Sequence, residues 1–60
     1  MGRLKELREE RSLSVRELAE RAGLHFNTIY RAEHGRTLQP RNRRKVAAVL
    51  GVDPKELRKE

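Results

Sequence analysis

The chain has 60 residues, 35% of them hydrophobic and 40% charged, with no cysteine. Disulfides and thiolate metal sites are therefore excluded, and a chain this small must rest on helix packing, capping and ion pairs. Fifteen Lys and Arg against nine Asp and Glu leave a net charge of +6. That balance favours a polyanionic partner, while no apolar stretch nears the ~18–20 residues of a membrane span.

Helix formers dominate and β-branched or aromatic runs are absent, so the expected class is all-α, in one domain over residues 1–60. Between Arg3 and Arg11, Leu4 and Leu7 lie one turn apart among charges, a helix with a narrow buried stripe. The segment from Met1 to Arg11 has no apolar run of the signal-peptide kind, so a cytoplasmic location is the expectation. Ser14 and Glu17 have the spacing of a capping box at the start of a second helix. Val15, Leu18, Ala19 and Ala22 give that helix an i, i+3, i+4, i+7 stripe, and Gly23 ends it.

A third helix is expected from about Phe26 to His34, with Ile29 and Ala32 inward and Gly35 as its stop. Its cap is His25 or Asn27, and position favours His25, a poor capping type. Residues 36–39 read as a loop. Pro40 suits the first turn of a fourth helix carrying Val46, Ala47, Val49 and Leu50, with Gly51 as terminator. Asp53, Pro54 and Glu56 have the pattern of a cap, N1 and N3 opening a short fifth helix that contains Leu57. Five short helices with tight loops are therefore expected.

The informative stretch is Val15–His34. Two short helices joined through Gly23 by about three residues must cross at a large angle, as in a helix-turn-helix. Leu18, Ala19, Ala22, Gly23, Ile29 and Ala32 are its expected core, with small Ala19 allowing close approach. On the third helix Phe26, Asn27, Tyr30 and Arg31 share the face opposite Ile29 and Ala32. Each has chemistry that a base edge accepts. Arg31 matches guanine O6 and N7, Asn27 matches adenine, and Phe26 matches a thymine methyl. Other uses of these residue types stay open: Phe26 as core, Asn27 as a cap, Arg31 on phosphate alone, and Tyr30 as a phosphate contact or an exposed amphipathic side chain.

The run LKELREERSLSVRELAERAGLHFNTIYRAEHGRTLQP, Leu4 to Pro40, resembles the phage repressor and Cro family, also called the Xre-type helix-turn-helix domain. The likeness continues to Leu57 and includes the Leu-Gly-Val segment at 50–52. It implies a five-helix domain that binds operator DNA, commonly as a homodimer on a palindrome, with the third helix in the major groove. It implies base contacts at Phe26, Asn27 and Arg31, and an internal salt bridge between Arg8 and Glu33. The chain departs from the family pattern at Val15, where glutamine is frequent, and at Ala32, where a larger aliphatic is common. Asn42 and Arg43 stand at positions often taken by core residues. Asn42 as a cap and Arg43 pointing outward would account for that, with Leu38 filling the gap or lying at a subunit contact.

Phosphate or flanking contacts are expected from Ser14, Val15 and Arg16 at a helix N-terminus, from His25, Thr28 and Tyr30 beside the reading face, and from Arg36, Thr37, Arg41, Arg43 and Arg44. The alternative for this cluster is a solvated charge run. Dimer contacts are expected around Leu57 and the loop near Leu38. No cofactor, metal ion or small-molecule substrate is implied. His25 and His34, nine residues apart, would be separated by about 13 Å along a helix, too far for one metal ion.

An enzyme is not expected, since no serine, histidine and acid set has the spacing of a catalytic site. The rival reading is a protein-interaction module or the DNA-binding antitoxin of a toxin pair. RNA is a third possibility, but one aromatic-bearing helix is not the stacking platform that single strands require.

Overall fold

The computed structural model describes residues 3–57. It contains four α-helices and one short 3-10 turn: α1 (Arg3–Glu10), α2 (Val15–Ala22), α3 (Phe26–Glu33), α4 (Pro40–Leu50) and the turn Pro54–Leu57. The expectation of a fifth α-helix is therefore corrected. Asp53 does cap the segment, its Oδ1 accepting from the Lys55 N–H at 2.9 Å. Four residues close only the tighter i→i+3 pattern, seen in the Glu56 N–H to Asp53 carbonyl bond.

The α2 boundaries follow from local chemistry. Ser14 Oγ accepts from the Glu17 N–H at 3.0 Å, and Glu17 Oε1 accepts from the Ser14 N–H at 2.9 Å. At the other end Gly23 has φ +71°, and Leu24 N–H reaches back to the Ala19 carbonyl at 2.9 Å. That closing bond of the turn brings the Leu24 side chain down onto the core. A Cβ at Gly23 would meet nothing within 4 Å, so only backbone strain opposes a side chain there. Gly23→Ala is accordingly expected to cost about 1–2 kcal/mol in chemical denaturation. A neutral result would mean that the turn relaxes out of the left-handed region.

The acid end of the capping box has a pH signature. The Ser14 backbone N–H, then the Ser14 hydroxyl, then the charge of Arg21 hold the Glu17 carboxyl below its ordinary value of 4.5. The folded chain thus takes up this proton less readily than the unfolded chain. The stabilisation is complete above the ordinary value and drains away as pH falls through the lower folded value. Thermal melts of wild type and Glu17→Gln should converge between about pH 5 and pH 3. A gap that persists unchanged to pH 2 would contradict this.

Leu18, Ile29, Val46 and Leu50 are the largest fully buried side chains, joined by Leu4, Leu7, Ala19, Ala22, Leu38 and Ala47. Each large aliphatic contributes about 1.5–3 kcal/mol on burial. Leu13, Val15, Ala32, Val49, Val52 and Leu57 pack around them half-buried. Leu38 lies in this core, which fills the gap left by Asn42 and Arg43 and removes its side chain from any subunit contact. Two further expectations about α4 are corrected. Its N-cap is Gln39, with no side-chain cap bond, and Pro40 follows at the first helical position. Asn42 therefore sits inside the first turn. Arg43 does not point freely outward: it is half-buried, and its Nη1 donates to the Leu38 carbonyl at 3.3 Å.

Helix α2 packs against both α3 and α4, and α1 against α3 and the terminal turn. Arg11 ties two helix ends together, its Nε donating to the Leu50 carbonyl at 2.7 Å and its Nη1 to the Leu7 carbonyl at 3.0 Å. Arg3 pairs with Glu56 at 2.9 Å, linking α1 to the terminal turn at the surface. No helix of the described residues is long and apolar enough to cross a membrane.

Candidate nucleic-acid interface

Helix α3 begins at His25, whose Nδ1 accepts from the Asn27 N–H at 3.1 Å. The cap is thus the histidine rather than Asn27. Its backbone carbonyl takes the Thr28 N–H at 3.0 Å. At the far end His34 closes the helix, its N–H reaching the Tyr30 and Arg31 carbonyls. Gly35 follows with φ +104°, and the Arg36 N–H returns to the Arg31 carbonyl at 2.9 Å.

One side of this helix is inside. Ile29 is fully buried, and Thr28, Ala32 and Glu33 are half-buried. The opposite side shows Phe26, Asn27, Tyr30, Arg31 and His34, all exposed. At about 100° per residue these five positions fall within roughly 140° of arc, one continuous face. Phe26 is 37% exposed and Tyr30 49%, the two large hydrophobics left outside among the described residues. An aromatic pair kept in water beside Asn27 and Arg31 is a feature that packing does not explain. Among the described residues, the side chains of Asn27 and Arg31 make no hydrogen bond or ion pair, so their donors and acceptors remain available.

The face is fixed from behind. Arg8 Nε donates to Glu33 Oε2 at 2.6 Å and its Nη2 to Glu33 Oε1 at 3.0 Å, a two-toothed pair from α1 to the last turn of α3. Arg8 Nη1 also donates to the Leu13 carbonyl at 2.8 Å. The Arg8 and Glu33 side chains are only 11% and 6% exposed. Hydrogen bonding to the Glu33 carboxylate raises the Arg8 guanidinium above its ordinary pKa, outweighing burial. The pair anchors the last turn of α3 to α1.

A contact that sequence reasoning missed lies at the front edge. The Arg16 guanidinium rests over the Phe26 ring, 5.1 Å from its centroid. Such a contact contributes about 0.5–1 kcal/mol at an exposed position. Phe26 also stacks on His25 at 5.4 Å, and Tyr30 lies against His34 at 4.1 Å. Nothing in the spacing of residues 16 and 26 announces the first contact, because it depends on how α2 and α3 cross.

The remaining flanking residues divide. Ser14 is occupied by its own capping box, so its N–H and hydroxyl already have partners. The Val15 side chain packs half-buried against the core. Thr28 is half-buried, whereas Arg36, Thr37, Arg41 and Arg44 are exposed. Among the described residues Arg36, Arg41 and Arg44 form no ion pair. Arg43 is held to the loop carbonyl and stands apart from them. No group of three or more His, Cys, Asp or Glu side chains with metal-binding geometry occurs among the described residues.

Comparison with curated proteins and with solved structures finds no match. A helix-turn-helix family model matches residues 4–57, nearly the whole chain. With α2 and α3 crossing through the Gly23 turn and the outer face of α3 exposed, the chain belongs to the helix-turn-helix family of the Xre/Cro/C1 type, a family of regulators that bind double-stranded DNA.

Proposed function

We propose that the protein is a sequence-specific transcriptional regulator of repressor type, acting in the cytoplasm as a homodimer on a palindromic operator. Helix α3 enters the major groove, where Phe26, Asn27 and Arg31 read base edges. The observation that carries this reading is the exposed face of α3, whose amide and guanidinium groups are unengaged while the helix behind them is locked by Ile29 and Arg8–Glu33. A merely solvated surface has no use for that combination of availability and rigidity.

Phosphate contacts come from Arg36, Thr37, Arg41 and Arg44, from the backbone of α2 at Val15, and from His25, Thr28 and Tyr30 at the edges of α3. Ser14 and Arg43 contribute by holding the α2 start and the 36–39 loop in place. Two copies bind half-sites about one helical turn apart, meeting near the terminal turn that carries Leu57.

The test is selection of binding sites from random duplexes, followed by sedimentation with the selected duplex. A palindromic consensus and a 2:1 complex are expected. Absence of any consensus, or a 1:1 complex on a palindrome, would overturn the reading. Arg41→Ala should weaken every duplex equally and reduce the slope of log affinity against log salt by about one. An unchanged slope would remove Arg41 from the phosphate set.

A further inference from the structure

We propose that Arg16, a residue of α2 rather than α3, reads a base. Held on Phe26, it forms with that ring a composite site for a pyrimidine C5-methyl group next to a guanine. The inference rests on the reading that α3 enters the major groove, and it adds a specificity determinant from a second helix.

The argument starts from the side chain. An exposed arginine ordinarily samples many rotamers and meets phosphate as a diffuse charge. Here the guanidinium is held 5.1 Å over the Phe26 ring, whose other neighbour is His25 at 5.4 Å. Among the described residues Arg16 makes no hydrogen bond or ion pair, so stacking orients the group without consuming its N–H donors. Phe26 is the first residue of α3 and belongs to its exposed face. Whatever that ring touches, Arg16 lies beside it.

The chemistry of the pair then defines the ligand. In the major groove an aromatic ring finds its apolar partner in the C5-methyl of a pyrimidine. A planar guanidinium with free edge donors finds two acceptors on one base only at guanine O6 and N7. A ring and a guanidinium in mutual contact must read neighbouring positions. The methyl group belongs to thymine or to 5-methylcytosine, which present the same surface at C5.

The test uses the full chain and the duplex obtained by site selection. At the pyrimidine under Phe26, four duplexes carry thymine, uracil, cytosine or 5-methylcytosine. Loss of one methyl group from thymine should weaken binding by about fourfold, and methylation of cytosine should recover a similar factor. Recovery by 5-methylcytosine assigns the methyl group itself as the ligand, whereas recovery by thymine alone would restrict the site to thymine. Phe26→Ala should abolish both differences. Arg16→Ala should weaken the guanine-bearing duplex by about tenfold and leave a duplex substituted at that guanine unchanged. Arg16→Lys keeps the charge but lacks the fork and should not restore the preference.

A uniform loss across all duplexes on Arg16→Ala, with a flatter salt slope and rescue by lysine, would make Arg16 a phosphate ligand and overturn the proposal. Indifference to the methyl group would overturn it as well. Asn27→Ala with Arg31→Ala separates the layers. If that double variant keeps full sequence preference, the α3 reading itself fails. If it loses preference while Arg16→Ala acts uniformly, only the role of Arg16 fails. Thermal melts monitor folding of each variant, and because Arg16 and Phe26 are exposed, both should melt near wild type.

Discussion

Arg8→Ala is expected to destabilise the fold by about 3–5 kcal/mol, comparable with all the stability that a chain of this size commands. The reason is what remains. Glu33, 6% exposed, would keep its carboxylate beneath α1 with both hydrogen bonds from Arg8 gone. The Leu13 carbonyl would lose its donor as well. An uncompensated charge in that setting costs more than the pair gains by existing. Arg8→Met with Glu33→Leu should therefore recover most of the loss, since neither charge is stranded and the stems still fill space. Equilibrium urea unfolding at pH 7, followed by circular dichroism, decides the matter. A double variant no more stable than Arg8→Ala would contradict the account.

Asn27→Ala combined with Arg31→Ala should leave stability near wild type and remove most of the discrimination between the selected operator and random duplex. Each bidentate base contact contributes about 1–3 kcal/mol of discrimination, so the pair is expected to account for a factor of about 30 or more. Residual binding should fall toward nonspecific binding and keep its salt slope, because Arg36, Arg41 and Arg44 are untouched. Titrations against operator and random duplex at two salt concentrations measure both quantities. Equal weakening on all sequences would assign Asn27 and Arg31 to phosphate.

The features that sequence revealed are those with local causes. The capping box at Ser14 and Glu17 acts over three residues, the turn at Gly23 over six, and the α3 stripe over one turn. All of these appear in the structure at the expected places. Proline at position 40 likewise marks the start of α4. The misreadings arise where neighbours far along the chain decide. Asp53-Pro-Lys-Glu has every mark of a helix start, but the residues after the cap close only a 3-10 turn. Arg11 resembles any surface arginine, but it bonds to a carbonyl 39 residues away. The Arg16–Phe26 contact is of the same kind, visible only once α2 and α3 cross.

Site chemistry was legible to a similar depth. The face formed by Phe26, Asn27, Tyr30 and Arg31 follows from helical geometry alone. Which flanking residues are engaged within the fold does not, since Ser14 in its capping box and Arg43 on the Leu38 carbonyl look no different in sequence from residues without such partners.

Intermolecular nuclear Overhauser effects in a complex with the selected duplex test the central claim most directly. The Phe26 ring protons and the Asn27 side-chain amide protons should show contacts to thymine methyl and cytosine H5 protons, which lie on the major-groove floor. Contacts to base protons arising instead from α1 or α4, with α3 silent, would contradict the account.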